Sequence, residues 1–105
     1  MDLRLEHEAE TSRYLAWPTD GSSDEPVGVM TYVDQDGVRD LNATVVPTEW
    51  EGRGIASRLA RFAIDDIRAS GLMLVPGCPF VRAFLERHPQ DLDLVPAGRR
   101  EEFGL

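Results

Sequence analysis

Alternation of apolar and polar residues organises the first half of the chain, and a helical repeat organises the second. Leu3, Leu5, His7 and Ala9 alternate with Arg4, Glu6, Glu8 and Glu10. A period of two sends neighbouring side chains to opposite faces of a sheet, so this segment is predicted to be a half-buried strand with His7 on its inward parity. Positions 12–17 read as a second strand ended by Pro18, with Trp17 as a core anchor. The run Thr19-Asp20-Gly21-Ser22-Ser23-Asp24-Glu25-Pro26 has nothing to bury and reads as a loop. Positions 27–33 and 38–46 give two further strands, joined by Asp34-Gln35-Asp36-Gly37, a good hairpin turn. The first half is therefore predicted to be an antiparallel four-stranded meander.

Past Pro47 the spacing changes. Ile55, Ala56, Leu59, Ala60, Ala63, Ile64 and Ile67 form one stripe at helical spacing, while Arg58, Arg61, Asp65 and Arg68 face away. Ser70-Gly71 ends that helix. The continuous apolar run Leu72-Met73-Leu74-Val75 suits a strand at a sheet centre, and Pro76-Gly77 breaks it. Pro79 is favourable at a first helical position, and Phe80, Val81, Phe84 and Leu85 supply an apolar face as far as His88-Pro89. Leu92, Leu94 and Val95 alternate with Asp91 and Asp93, which predicts a short final strand. The expected fold class is α+β: a four-stranded meander, then α-β-α, then a short C-terminal strand or tail, in one domain over 1–105.

The junction between the two halves carries the chemistry. A β-branched strand, a glycine hinge Glu51-Gly52-Arg53-Gly54-Ile55-Ala56 and a helix N-terminus together make an anion site. The first helical N–H groups lack intrahelical partners, and the aligned peptide dipoles leave positive charge at that end. Gly52 and Gly54 let a phosphate approach the main chain closely, and Ser57 adds a hydroxyl one turn in. The hinge is neither better-known phosphate fingerprint. A Walker loop needs a lysine, and the chain has none; a dinucleotide fingerprint needs a third glycine where Ser57 stands.

Composition narrows the setting. With 105 residues, 42% of them hydrophobic, the chain can bury one core of modest stability. No apolar run approaches the roughly 20 residues of a membrane span, and the start is not basic-then-apolar, so neither membrane insertion nor secretion is expected. A lone cysteine rules out an intramolecular disulfide and agrees with a cytoplasmic location. The net charge of -8 argues against nucleic acid and anionic membrane as partners. It would attract a basic partner such as a polyamine or a lysine-rich tail, although acidity also serves solubility. No His/Cys cluster has metal-ligand spacing, so no metal is expected.

The hinge, preceded by Thr44-Val45-Val46-Pro47, resembles the signature of the GNAT acetyltransferase superfamily, Gln/Arg-x-x-Gly-x-Gly/Ala between a fourth strand and the next helix. The segment Val75-Pro76-Gly77-Cys78-Pro79-Phe80-Val81-Arg82-Ala83-Phe84-Leu85-Glu86-Arg87-His88-Pro89 is similar to that of a small single-domain branch about a hundred residues long. The resemblance implies acetyl-coenzyme A as acetyl donor. Its pantetheine arm would pair with the strand at Val45 and Val46, and its pyrophosphate would rest on Gly52, Arg53, Gly54, Ile55, Ala56 and Ser57. The implied activity is N-acetyl transfer to an amine whose identity the sequence does not give. The helices that longer relatives insert after the first strand are missing, so the acceptor side is expected to be open or closed by a second subunit as a homodimer.

Cys78 is the candidate catalytic residue. Beside Pro79 it would cap the last helix, where the dipole favours a thiolate; it would take the acetyl group, position the thioester, or simply fill a tight turn. His88 reads as a helix-end cap, and His7 as a core or edge histidine rather than a base. Glu49 and Glu51 are solvated loop carboxylates by default, with amine deprotonation through water as the functional alternative. Trp50 would either shield the cofactor or pack under the turn. Glu51 stands where the signature has Gln or Arg, and no tyrosine lies near Phe84 and Leu85. Those two departures, with the missing acceptor-covering helices, keep a second reading open: a non-catalytic acyl-coenzyme A-binding or protein-interaction module.

Overall fold

The computed structural model describes residues 1–105. Strands β1 (Leu3–Glu8), β2 (Arg13–Pro18), β3 (Gly28–Gln35) and β4 (Val38–Val45) form an antiparallel meander; helix α1 (Ile55–Ala69), strand β5 (Met73–Val75) and helix α2 (Pro79–Arg87) follow. The sheet runs β1-β2-β3-β4-β5, with β5 parallel to β4. This is the α+β order that the periodicity predicts. The β3–β4 hairpin closes on Gln35 and Val38, and Asp36 and Gly37 between them have φ of 53° and 79°. Those positive angles define the hairpin turn whose twist matches the strands, and an Asp-Gly pair adopts them readily. No helix is long and apolar enough to cross a membrane.

Both helices pack on one face of the sheet. Leu3, Leu5, Tyr14, Ala16, Met30, Tyr32 and Leu41 point from the strands toward the α1 stripe of Ile55, Leu59, Ala60, Ala63, Ile64 and Ile67. Val81, Phe84 and Leu85 of α2 join the same cluster. Burying a Leu, Ile, Val or Phe side chain contributes roughly 1.5–3 kcal/mol, so this shared layer supplies most of the driving force for the fold. Gly28 makes the close approach of α1 to β3 feasible: a Cβ there would stand 2.7 Å from Ile55 Cγ2 and 2.8 Å from Leu59 Cδ1. Gly71, at φ 72°, ends α1 in the left-handed conformation, with the Leu72 N–H returning to the Ile67 carbonyl.

Three sequence expectations are corrected. The Leu72–Val75 run does not lie at a sheet centre: β5 is the edge strand, with Leu74 buried in the core it shares with α1 and Val75 buried as well. Trp17 does not anchor the core. Tyr14 and Ala16 take the inward parity of β2, so Trp17 faces the other side, where its Nε1–H donates to Glu6 Oε1 at 2.9 Å and Arg4 stacks 5.4 Å from its ring. The final strand is absent, and Pro89–Leu94 is a 3-10 helix. The alternation at 91–95 concealed a period of three, which places Asp91 and Leu94 one above the other, both buried. Arg61 and Arg68 of α1 hold the Asp91 carboxylate, and Arg68 also reaches Asp93. Two more short 3-10 turns, Ala97–Arg99 and Glu101–Phe103, complete the tail.

Candidate functional site

The candidate site begins where β4 and β5 part. The strands pair at Val38–Met73, Arg39–Leu74 and Asp40–Val75, and beyond Asp40 β4 has β3 alone for a neighbour. Pro76-Gly77 stops β5, and a bulge bends β4 at the same level: Tyr32 pairs with Leu41 and Thr31 with Ala43, leaving Asn42 as the extra residue. The β5–α2 turn is tied across the parting. The Gly77 N–H donates to Asp40 Oδ1 at 3.0 Å, and the Cys78 N–H donates to the Leu41 carbonyl at 2.8 Å. What remains open is the edge of β4 from Asn42 to Val45. An unpaired strand edge is a template for an extended chain that can trade backbone hydrogen bonds with it.

That open edge leads to the N-terminus of α1. Gly52 and Gly54 have φ of 77° and 76°, and Gly54 is the N-cap residue. A side chain would pay for this conformation, so the two glycines set the path of the turn. No N–H group from Gly52 through Ser57 finds an acceptor within the protein; the first bonded amide is that of Arg58, which donates to the Gly54 carbonyl at 3.1 Å. Val46, Trp50, Glu51, Gly52, Gly54, Ile55, Ala56, Ser57 and Phe80 line a cleft of about 200 Å³ at this end. A row of free donors at the positive end of a 15-residue helix, beside an open cleft, is arranged to receive an anion.

The structure brings most of the sequence-nominated residues together there. Val46, Gly52, Gly54, Ile55, Ala56 and Ser57 line the cleft; Val45 and Arg53 do not. Val45 stands on the exposed edge of β4, and Arg53 lies over the Trp50 ring at 4.8 Å and donates to the Glu49 carbonyl at 3.3 Å. Arg53 thereby fixes Trp50 as a wall of the cleft. Cys78 is the N-cap residue of α2, 5% exposed, with Sγ 3.3 Å from Thr44 Oγ1. No basic side chain touches it, and it lines no cleft. His88 caps α2 as expected, with Nδ1 2.8 Å from the Phe84 carbonyl. Sequence reasoning missed Asp40 as the clamp on the turn, Asn42 as the bulge and Phe80 as a cleft wall. Only Phe80 had a signal, its place in the first turn of a helix beginning at Pro79.

A second polar cluster lies at the far end of α1. His7 Nε2 sits 2.7 Å from the Tyr32 hydroxyl, its Nδ1 3.4 Å from Asp66 Oδ2, and its ring stacks on Tyr14. The Tyr14 hydroxyl donates to Asp66 at 2.7 Å and accepts from Arg39 at 2.8 Å. Arg39 also grips Asp34 through two bonds of 2.7 and 2.8 Å, which hold the Asp34 carboxyl below its ordinary range. Burial, then the bond to Asp66, pushes the Tyr14 phenol well above its ordinary value. Tyr14 and Tyr32 are the only tyrosines of the chain, and both are committed here.

A family profile described as GCN5-related N-acetyl-transferase matches residues 13–94. Protein NATD1 of Danio rerio is 34% identical over 95 residues, covering 89% of this chain and 84% of its own length. Protein NATD1 of Homo sapiens is 30% identical over 87 residues, covering 83% of this chain and 75% of its own. Among solved structures, the NMR solution structure of a GCN5-like protein from Staphylococcus aureus superposes with a TM-score of 0.65, covering 90% of this chain and 87% of that one at 16% identity. At that identity the likeness speaks for the fold alone.

Proposed function

The chain belongs to the GCN5-related N-acetyltransferase family, and on that premise we propose that it moves the acetyl group of acetyl-coenzyme A to an amine. The observation that carries the reading is the row of unpaired N–H groups from Gly52 to Ser57 at the mouth of the cleft. The diphosphate rests on those donors, with Ser57 adding its hydroxyl. Each helix-terminal charge contact contributes only about 0.3–1 kcal/mol when exposed, so affinity is the sum over several donors. The pantetheine arm lies extended along the open edge of β4 from Asn42 toward Val46, with Trp50 and Phe80 flanking its phosphate end.

The acetyl carbonyl then reaches the parting of β4 and β5, beside the Asn42 bulge. The neutral amine attacks the carbonyl carbon, the carbon–sulfur bond breaks, the thiolate departs, and the proton shed by nitrogen passes to solvent. A backbone N–H of β4 near the bulge serves the carbonyl oxygen as its charge grows. Holding two reactants in line supplies much of the acceleration in such reactions. Direct attack is favoured over a cysteine relay because Cys78 is buried and has Thr44, not a base, beside its sulfur. Cys78 positions the α2 N-cap against the acetyl end of the site.

One observation supports a second reading, a module that binds acyl-coenzyme A without turnover. Neither tyrosine can reach the leaving sulfur, since both are held in the network around His7 and Asp66. A free thiol needs no strong acid near neutral pH, its ordinary pKa being about 8.5, so the missing phenol is compatible with transfer. Calorimetry with acetyl-coenzyme A, followed by thiol release against a panel of amines, decides. Binding with amine-dependent release supports transfer. Binding without release against any amine supports the module, and no binding overturns both.

A further inference from the structure

Strand β1 is the outermost strand at the end of the sheet away from β5, and no element lies beyond it. The Asp2 carbonyl accepts from the Thr19 N–H at 3.2 Å, in register with the pairs Leu3–Pro18 and Arg4–Trp17. Facing residues of an antiparallel pair alternate between bonded and unbonded, so Arg4, Glu6 and Glu8 turn their backbone groups toward β2. Leu3, Leu5 and His7 turn theirs outward, which agrees with Pro18 having no N–H to give Leu3. Beside this edge, Leu5 and the α1 residues Arg58, Arg61, Phe62 and Asp65 line a groove of about 260 Å³. Acetyl transfer leaves both edge and groove without a role.

Edge strands are often blunted by charge, but here the charges alternate in sign about a centre. Arg4 and Glu6 flank Leu5 on β1, and Arg58 and Asp65 flank Phe62 on α1. A second copy laid antiparallel on β1 has to set odd residues opposite odd ones, because those carry the free N–H and C=O groups. Leu5 opposite the partner's Leu5 sets Arg4 against the partner's Glu6, and the symmetry repeats that pair. A slip of two residues one way sets Arg4 against the partner's Arg4, and the other way Glu6 against the partner's Glu6. Charges directly across a sheet favour the first register and oppose the other two. Asp2 then meets the partner's Glu8, but Arg13 already offsets Glu8 within each chain at 2.6 Å. Odd-with-odd pairing keeps both α1 helices on one face and antiparallel, the Arg58 end of each toward the Asp65 end of the other. Arg58 has the Met1 carbonyl at 2.8 Å for a partner and no carboxylate, and Asp65 is exposed.

We propose that this edge binds a second copy of the chain, β1 pairing with β1 about Leu5 in a two-fold dimer whose two sheets become one. A two-fold contact uses the same patch on both subunits, so the patch has to complement itself, as the Arg4–Glu6 and Arg58–Asp65 patterns both do. The two grooves merge into one, floored by Leu5 of both copies and walled by both Phe62 rings. The open edge of β4 lies three strands away, so both cofactor clefts and both partings of β4 and β5 stay uncovered. The dimer therefore goes beyond the transfer reading and does not depend on it.

Sedimentation equilibrium of the full chain, from about 1 µM to 1 mM, is the test. The mass should rise with concentration toward twice the 11.7 kDa of the chain. Amide hydrogen exchange on the same samples should show protection at Leu3, Leu5 and His7 growing with concentration, while Arg4, Glu6 and Glu8 are protected throughout. Arg4→Glu and Glu6→Arg should each weaken the dimer about tenfold, and the double variant, which exchanges the two charges, should return to within about threefold of the parent. Glu6 also bonds Trp17, so the amide readout, which needs no variant, keeps the test decisive if a β1 substitution disturbs the fold. A chain that stays monomeric at the highest concentration, a dimer whose Leu3, Leu5 and His7 amides exchange as in the monomer, or a folded double variant no tighter than the single ones would each overturn the proposal. A monomer whose β1 amides gain protection only when another protein is added would overturn it too, and assign the edge to a foreign strand.

Discussion

The Cys78 N–H donates to the Leu41 carbonyl at 2.8 Å, which fastens the N-cap of α2 to β4 one residue beyond the last β4–β5 pair. The bond closes the parting at its base and leaves Asn42 to Val45 as free edge. Because it uses the backbone of Cys78 and not its sulfur, the anchor survives replacement of the side chain.

Cys78→Ala is therefore expected to keep turnover within about threefold of the parent. Losing a small buried side chain should cost about 1 kcal/mol of stability. Steady-state thiol release and urea unfolding measure the two effects. A loss of turnover of a hundredfold or more, with an acetyl adduct on the parent protein by intact mass after brief mixing, would restore the cysteine as nucleophile.

Gly54→Ala separates binding from folding. A Cβ at Gly54 meets nothing within 4 Å, so its cost is the left-handed backbone alone, about 1–2 kcal/mol. The protein should stay folded, while relief of that strain turns the amides at 52–57 out of line and weakens coenzyme A at least fivefold by calorimetry. Unchanged affinity in a folded variant would show that the ligand does not depend on the glycine turn.

Gly28→Ala acts on packing instead. The added carbon must displace Ile55 and Leu59, the first two buried positions of α1, and overpacking of this kind typically costs about 1–3 kcal/mol. Urea midpoints should fall accordingly, with coenzyme A affinity falling too because the N-terminal turn of α1 shifts. A midpoint equal to the parent's would mean that the β3–α1 contact is looser than described.

Stability should decline at both ends of the pH range, through different groups. Hydrogen bonds from Arg39 lower the Asp34 carboxyl in the fold below its ordinary 3.8. Its contribution is thus present above about pH 4 and lost as pH falls through the folded value; Asp34 is half-exposed, so the effect is modest. Burial, aided by Asp66, raises the Tyr14 phenol above its ordinary 10.0. The neutral form is favoured by the fold, so that contribution is complete below pH 10 and lost as pH climbs above it. Urea midpoints measured from pH 3 to 11.5 should bend down at both ends. Tyr14→Phe should be less stable at pH 7 by about 1–3 kcal/mol, with a shallower alkaline decline. An alkaline limb as steep as the parent's would show that Tyr14 does not cause it.

Much of this molecule is legible in its residues because the sheet and α1 obey simple periods. Parity placed His7 on the inward face of the first strand with Leu3 and Leu5, and the stripe from Ile55 to Ile67 is the buried face of α1 with only Ala56 turned out to the cleft. Gly52 and Gly54 announced the donor turn because positive φ is costly for any other residue. What stayed hidden depends on contacts between distant segments. Trp17 is hydrophobic by type, but β2 parity sends it to the other face, where Glu6 and Arg4 hold it. Asp91 reads as a surface residue until Arg61 and Arg68 arrive from α1. The Asn42 bulge carries no glycine and no proline, and Asp40 gains its role only when Gly77 is brought beside it.

A backbone amide NMR titration of the full chain with coenzyme A tests directly whether the donor turn from Gly52 to Ser57 seats the diphosphate. The largest shifts should fall on the amides of residues 52–57, with smaller ones along Asn42 to Val46. Saturating coenzyme A that leaves those amides unmoved, or that moves a different surface instead, would contradict that seating.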